Sequence, residues 1–284
     1  MTSARHARLA LEPSPGAKLI AAGVLALTVV ISLTPFFYVI STSLKETRSL
    51  FTYPPEWLPN PPYFGNYLAL FLKHPFGWWL ANTLFVSAAV TALKFFIDGM
   101  AAYALAKLDF TGKRFVISAL LVSVAIPLAA LLIPLFLITR SLGIIDTRLA
   151  LILPPLANPL GVFMIRAFIA GVPDELIHSA RMDGAGEFEI FRRVVVPLIR
   201  PGLVVHATFI FANQYTSFLW PLVAVRDVQK QVITVGISTL RAIFTVDWGL
   251  ISAASLVAAV PLTVIFILFQ RAFFQQTLVG ALKE

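Results

Sequence analysis

In a chain this apolar, the residues able to do chemistry are the few polar groups stranded within or between long apolar runs. Lys94 and Asp98 stand four apart, the spacing that brings two side chains together on one helix face. An ion pair inside a membrane is a functional candidate by default, but this pair neutralises itself. Two readings stay open for it: a structural pair packed against a partner subunit, or a contact to a transported solute. Further along, Asn213, Thr216, Ser217 and Trp220 recur at helical spacing, which puts them on one face, with Gln214 and Tyr215 beside it. Amides and hydroxyls next to an aromatic plane suit a carbohydrate, whose hydroxyls donate and accept while its ring faces are apolar. The same groups would serve equally well to bond a neighbouring helix. His206, in the same run, reads as a satisfied buried polar residue.

The most polar stretch runs from Pro173 to Pro201, between two apolar runs. Asp174 and Glu175 suit the positive end of a helix over Asp174–Met182, and Gly184 supplies the turn that lets the chain leave it. Glu187 opens a second helix, which Pro197 and Pro201 interrupt before the next apolar run. On the first helix Leu176, Ile177 and Ala180 form an apolar side, rimmed by His178, Arg181 and Asp183. A short amphipathic helix of this kind, followed by a sharp turn, is a docking surface: its apolar side enters a cleft on another protein and its rim fixes register.

Several chemistries are missing. No Gly-x-x-x-x-Gly-Lys-Ser/Thr loop is present to cradle ATP phosphates, and no His-Glu-x-x-His or Gly-x-Ser-x-Gly suggests a hydrolase. Without cysteine, the chain has no thiolate nucleophile and no thiolate metal site.

Of the 284 residues, 58% are hydrophobic and only 13% charged, too few charges for the surface of a soluble domain of this length. Uncharged runs at Leu19–Ile40, Phe115–Thr139, Leu149–Ile165, Pro201–Val225 and Trp248–Gln270 are mostly long enough to cross a core of about 30 Å. With Leu80–Ala106, interrupted by Lys94 and Asp98, the expected count is six spans. The expected class is therefore an all-α polytopic membrane protein: an N-terminal segment 1–18, then one transmembrane domain over 19–284. Leu19–Ile40 is too long for a signal peptide, and no small-x-small site follows it, so it reads as an uncleaved first span.

The net charge of +8 comes from basic residues scattered singly between spans, which excludes a nucleic-acid surface and fits loops beside anionic lipid. Their bias places Arg5, Arg8, Lys18, Lys107, Lys113, Arg114, Arg181, Arg192, Arg193, Arg200, Arg271 and Lys283 inside, so both termini and a loop over 171–200 are expected on the cytoplasmic side. The segment 43–79, with Pro54, Pro55, Pro59, Pro61, Pro62 and Pro75 among Trp57, Tyr63, Trp78 and Trp79, reads as an external loop without regular helix.

Motifs in a fixed order carry a resemblance. Asn82–Thr83–Leu84, Ala101–Ala102–Tyr103–Ala104–Leu105–Ala106, Phe110–Thr111–Gly112–Lys113–Arg114, Ile126–Pro127, Leu151–Ile152–Leu153–Pro154 and Gly280–Ala281–Leu282–Lys283 are similar to the membrane (permease) subunits of ABC importers of the carbohydrate-uptake type, those like the smaller maltose-transporter membrane subunit. Asp183–Gly184–Ala185, Phe191, Pro197–Leu198 and Pro201 resemble that family's EAA loop, the segment that plugs into a partner ATPase. Where the family reads Glu-Ala-Ala this chain has His178, Ser179 and Ala180, so an imidazole replaces the acid expected to meet the ATPase, with Glu175 nearby as a substitute. Where the family reads Trp-Asn and an acid ahead of Phe-x-x-Pro-Leu, Tyr215, Thr216 and Ser217 precede Phe218.

The resemblance implies a type I ABC-importer permease fold in a bacterial inner membrane. It implies coupling to the ATPase through Glu175, His178, Ser179, Ala180, Asp183, Gly184, Ala185, Phe191 and Pro197. The partners implied are a second homologous permease subunit, an ATPase dimer that carries ATP and magnesium, and an extracytoplasmic solute-binding protein, with no cofactor bound by this chain. A stand-alone secondary transporter or channel is the alternative; it should show broken helices in two related halves, and no such halves are found.

Overall fold

The computed structural model describes residues 15–53, 56–241 and 246–281, which are helical over most of their length. Arg5, Arg8, Pro54, Pro55, Leu282 and Lys283, used above for topology, loop and closing segment, lie outside the described residues. Contacts divide the chain into two units, Met1–Ala69 with Asp247–Leu256 and Leu70–Val246 with Val257–Glu284.

The first unit begins with helix α1 (Pro15–Ser43), whose apolar side chains are exposed nearly all round, as a lipid-facing helix requires. Its end is held by polar contacts. Ser41 Oγ donates to the Trp57 carbonyl (2.6 Å), Asn66 Nδ2 to the carbonyls of Ser43 (2.9 Å) and Lys45 (2.8 Å), and Lys45 Nζ to the Glu56 carbonyl. The segment 43–79 is thus more regular than its prolines suggest. A 3-10 turn covers Thr47–Phe51, a helix α2 covers Gly65–Lys73, and the next span already starts at Phe76. The prolines cluster before residue 63 or at 75, so they leave 65–73 free to coil.

In the second unit helix α3 (Phe76–Lys107) is the central element. Around it pack α6 (Arg148–Leu156), α7 (Leu160–Ala170), α10 (Arg200–Tyr215) and α12 (Ile233–Thr239). Helices α4 (Lys113–Ala125) and α5 (Leu128–Ser141) precede them in the chain, and α8 (Asp174–Met182) and α9 (Glu187–Leu198) form the polar insert. Helix α11 (Leu219–Ala224) follows α10, and α13 (Trp248–Ala281) closes the chain.

Three helices, α1, α3 and the Trp248–Gln270 part of α13, are long and apolar enough to cross a membrane unbroken, and three bent pairs bring the count up to six. The expected run Phe115–Thr139 is α4 and α5, bent by 104°; Leu149–Ile165 is α6 and α7, bent by 45°; and α9 meets α10 at 87°. Proline explains each break. A residue before proline is pushed out of the helical region, and Ile126, before Pro127, has ψ 118°. Pro159 stands at the second break, and Pro197 and Pro201 flank Ile199 at the third. The expected run Pro201–Val225 is also divided, since α10 stops at Tyr215 and α11 restarts at Leu219.

Two apolar clusters fill the second unit. One gathers Ala102, Tyr103, Val162, Ile165, Ile177, Ile190, Phe191 and Leu203; the other gathers Val86, Val90, Leu151, Ile210, Trp220 and Val235. Beyond the second cluster, α3 pins the segment between α11 and α12 through hydrogen bonds. Trp79 Nε1 donates to the Val228 carbonyl (2.7 Å), and Thr83 Oγ1 accepts from the Ile233 amide (2.7 Å). Asn82 Nδ2 donates to the carbonyls of Gln229 (2.7 Å) and Gln231 (3.1 Å), while its Oδ1 accepts from Arg148 Nε (3.1 Å) and Nη2 (2.9 Å).

Replacing Asn82 by leucine leaves two carbonyls and a guanidinium without these partners. A loss of about 2 kcal/mol is expected, read as a lower melting temperature of the purified protein, whereas Trp79→Phe, which removes one donor, should cost about half as much.

Candidate functional site

The insert folds as its residues dictate. Helix α8 starts with Asp174 and Glu175 in its first turn and has Arg181 in its last, charges that complement the helix dipole at both ends. Its far end is closed by two hydrogen bonds, Ala185 amide to Ala180 carbonyl (3.0 Å) and Gly184 amide to Arg181 carbonyl (3.0 Å). This is the Schellman pairing, and it needs a left-handed residue, which Gly184 supplies at φ 83°. Ala180 and Ala185 are the two apolar residues that meet across such a turn, and both pack against the first cluster.

One ion-pair cluster ties the insert to α3. Arg181 Nε donates to Glu187 Oε1 at 2.7 Å and Arg181 Nη2 to Glu187 Oε2 at 3.3 Å, bridging α8 and α9 across the Gly184 turn. Tyr103 OH, from α3, donates to the same Glu187 Oε2 at 2.6 Å. Arg181 first, and then the Tyr103 hydroxyl, hold the Glu187 carboxyl below the usual carboxylate range, while Glu187 holds the Arg181 guanidinium above its ordinary value. At the entry to α8, Lys107 Nζ donates to Asp174 Oδ1 and to the Val172 carbonyl, both at 2.6 Å, and depresses the Asp174 carboxyl. A depressed carboxyl stabilises the fold fully above its ordinary range and loses that contribution as the pH falls through its lowered value. Both ties are therefore complete at neutral pH.

The faces of α8 differ from the expected division. Ile177 is 2% exposed and turns into the protein's own core, and Ala180 is half-buried beside it. The outward apolar surface is Leu176 with Met182 and, on α9, Phe188; Met182 is 88% exposed. Glu175, His178 and Ser179 of α8, Asp183 at its end and Pro197 of α9 are exposed as well, though the Ser179 hydroxyl already donates to the Glu175 carbonyl (2.8 Å). Phe191 is buried against Tyr103, ring centroids 5.6 Å apart. The structure therefore brings Glu175, His178, Ser179 and Asp183 together on an open face and gives Ala180, Ala185 and Phe191 the task of seating that face on α3.

The second candidate group is divided. Helix α10 ends at Tyr215, so Asn213, Thr216, Ser217 and Trp220 do not share one helix face, contrary to their spacing in the sequence. Trp220 is buried and donates to the Ala150 carbonyl (2.8 Å); Tyr215 is buried and donates to the Ala258 carbonyl (2.7 Å); Gln214 is buried beside it. Asn213 and Thr216 are exposed and Ser217 half-buried at the helix end.

The third group gains a member. Lys94 Nζ lies 3.1 Å from Asp98 Oδ1, and Asp98 Oδ2 lies 2.9 Å from His206 Nε2, all three side chains at most 3% exposed. Asp98 and His206 are 108 residues apart, so no local spacing announces this contact; the same holds for Tyr103 and Glu187, 84 apart. Arg181 and Glu187, six apart on either side of a glycine turn, carried a readable signal.

Residues 99–278 match the family described as Binding-protein-dependent transport system inner membrane component. The chain is 32% identical to the arabinooligosaccharides transport system permease protein AraQ of Bacillus subtilis, over 88% of this chain and 90% of that one. It is 33% identical to the sulfoquinovosyl glycerol transport system permease protein SmoH of Agrobacterium fabrum (88% and 89%) and 33% identical to the trehalose transport system permease protein SugB of Mycobacterium tuberculosis (89% and 93%). Among solved structures, a chain of a bacterial ABC transporter involved in import of the polysaccharide alginate superposes with a TM-score of 0.81 at 20% identity, covering 92% of this chain and 98% of that one, a likeness of fold. A helix, a glycine turn and a second helix set between apolar spans and tied by ion pairs to the central one, together with these matches, place the chain in a family: it belongs to the binding-protein-dependent transport system inner membrane components, the non-catalytic permease subunits of ABC importers.

Proposed function

We propose that this chain forms half of the translocation pathway for a sugar, an oligosaccharide or a related polyol, with both termini and the 171–200 loop on the cytoplasmic side of a bacterial inner membrane. In such an importer a homologous permease subunit pairs with it, an ATPase dimer binds and hydrolyses ATP, and an external solute-binding protein delivers the cargo. The solute class rests on relatives named for arabinooligosaccharides, sulfoquinovosyl glycerol and trehalose.

The observation that carries the coupling role is the mounting of the insert. Its outer face, Glu175, Leu176, His178, Ser179, Met182 and Asp183, is open, while its inner face is bolted to α3 by Glu187, Arg181 and Tyr103 and by Lys107 and Asp174. A push or pull on the open face is thereby delivered to the central span without loss in a flexible loop. Exposed Leu176 and Met182 supply the apolar burial that docking needs, and His178 is exposed on the same helix.

Asn213, Thr216 and Ser217 are proposed as pathway contacts, because Asn213 and Thr216 are exposed and Ser217 half-buried where α10 ends. Gln214, Tyr215 and Trp220, buried around them, keep that helix end in place.

Uptake of labelled carbohydrates by the complete importer in proteoliposomes tests the solute class; a panel in which only amino acids or ions move would refute it. Gly184→Val forces a branched side chain into a left-handed position, a strain of about 1–2 kcal/mol, and should lower uptake about tenfold at unchanged membrane levels. Glu187→Gln should reduce uptake more than Asp174→Asn, since Asp174 is 69% exposed and its pair is correspondingly screened. Alanine at Asn213 and Ser217 together should change the KM or rate of uptake while leaving ATP hydrolysis responsive to the loaded binding protein; unchanged kinetics would remove them from the pathway.

A further inference from the structure

One buried group has no part in docking or in the open helix end. Lys94, Asp98 and His206 lie on α3 and α10, and the Lys94 ammonium also donates to the Asn158 carbonyl at 2.6 Å, at the break between α6 and α7. Asp98, held by the ammonium on one oxygen, is an acceptor on the other, so the His206 proton sits on Nε2 and points at it. His206 Nδ1 is buried and has no partner, which a bare ring nitrogen tolerates better than an N–H would. The opposite charges of Lys94 and Asp98 offset each other, which lets the cluster sit in a low-dielectric interior.

Its neighbours make it a tight fit. A Cβ on Gly161 of α7 would lie 1.9 Å from Asp98 Oδ2 and 2.6 Å from His206 Nε2, so the backbone of α7 closes directly over the cluster and only glycine permits it. The cluster is also the boundary between the two apolar cores. Along α3 the order is Val86 and Val90, then Lys94 and Asp98, then Ala102 and Tyr103. Along α10 it is Leu203, then His206, then Ile210, and through α6 and α7 it is Leu151, then Asn158 and Gly161, then Ile165. The core that seats the coupling insert and the core that leads to the far end thus meet at these three side chains.

We propose that Lys94, Asp98 and His206 are positioning residues of transport: a directional bolt that makes α3, α7 and α10 move as one body, so that displacement of the coupling insert reaches the end of α10. Apolar contacts would hold the same helices together but allow them to slide, whereas two hydrogen bonds that leave α3, from Lys94 to the Asn158 carbonyl and from His206 to Asp98, together with the Gly161 contact, fix both distance and register, and the Lys94–Asp98 pair within α3 orients them. With every side chain at most 3% exposed, the cluster does not touch solute.

The test uses the complete importer in proteoliposomes with its binding protein, reading solute moved per ATP hydrolysed together with the melting temperature of the complex. His206→Leu and Gly161→Ala should each lower solute per ATP by about fivefold or more while the loaded binding protein still stimulates hydrolysis. His206→Gln, which keeps an N–H for Asp98, should stay within about twofold of the parent. The double change Lys94→Met with Asp98→Leu removes both buried charges without leaving one unpaired, although the Asn158 carbonyl and the His206 N–H lose their partners; it should still assemble, with a lowered melting temperature, and remain poorly coupled. A double variant that transports as well per ATP as the parent would show the pair to be a structural filler and overturn the proposal. So would full coupling in His206→Leu, or a His206→Gln no better than His206→Leu. Failure of both the double variant and His206→Leu to assemble would make the cluster a folding element and likewise end the proposal.

Discussion

Breaking a helix inside a membrane frees backbone carbonyls where the solvent offers no donor, and the protein has to supply one. At the break between α6 and α7 that donor is the Lys94 ammonium, 2.6 Å from the Asn158 carbonyl. The rest follows as a chain of requirements. A buried ammonium needs a counter-charge, which Asp98 provides one helical turn away; the second carboxylate oxygen needs its own donor, which His206 provides from α10. The helix that follows the break can approach this group only where it has no side chain, and Gly161 is that position. A proline at 159, a lysine, an aspartate, a histidine and a glycine are thus one solution to one electrostatic problem, contributed by three helices.

Helix α3 gives these demands a common axis. On its 32 residues it carries the hydrogen bonds of Trp79, Asn82 and Thr83 at one end, the buried charges at the middle, and Tyr103 and Lys107 at the other end. The two ties at the insert differ in weight. Lys107 to Asp174 ends on an exposed carboxylate and is screened, whereas Glu187 is shared between a guanidinium and a phenol at the edge of a packed apolar cluster. The Gly184 turn, and with it the orientation of the open face, depends on the second tie far more than on the first.

Local structure of the insert was legible in the residues: the bounds of α8, the turn at Gly184 and the start of α9 at Glu187 all follow from charge placement, glycine and proline. Its facing was not. Leu176 and Ile177 are adjacent and both apolar, and only the presence of Ala102 and Tyr103 on the remote α3 and of Ile190 on α9 decides that Ile177 turns inward and Leu176 stays open. The breaks were half legible. Proline marks where a run is interrupted, but a bend of 45° or 104° is set by what the second piece packs against. The expected polar face of the fifth run failed for a similar reason, because periodicity assumes an unbroken helix and α10 ends at Tyr215. His206 is the clearest case: as a lone histidine in an apolar run it read as a satisfied side chain, and what satisfies it is an aspartate 108 residues away.

Broken spans are also how secondary transporters build solute sites, by aiming unpaired helix ends at the cargo. The breaks here are used differently. At the α6–α7 break the freed carbonyl is consumed by Lys94 and sealed from access. Where α10 ends, the Thr216 hydroxyl is spent on the Ala212 carbonyl (2.8 Å) and the Ser217 carbonyl accepts from Thr234 Oγ1 (2.6 Å). What remains open along the proposed pathway is a short polar strip, able to hold a hydroxylated solute only weakly. Weak contact is what passage requires, since a solute gripped by the channel wall would not leave it, and it moves the burden of selection outward. A permease of this construction needs a separate receptor to choose its cargo and a separate engine to move the insert, and its own buried chemistry holds the unbroken α3 in register with α7 and α10, each one piece of a bent span, while that happens.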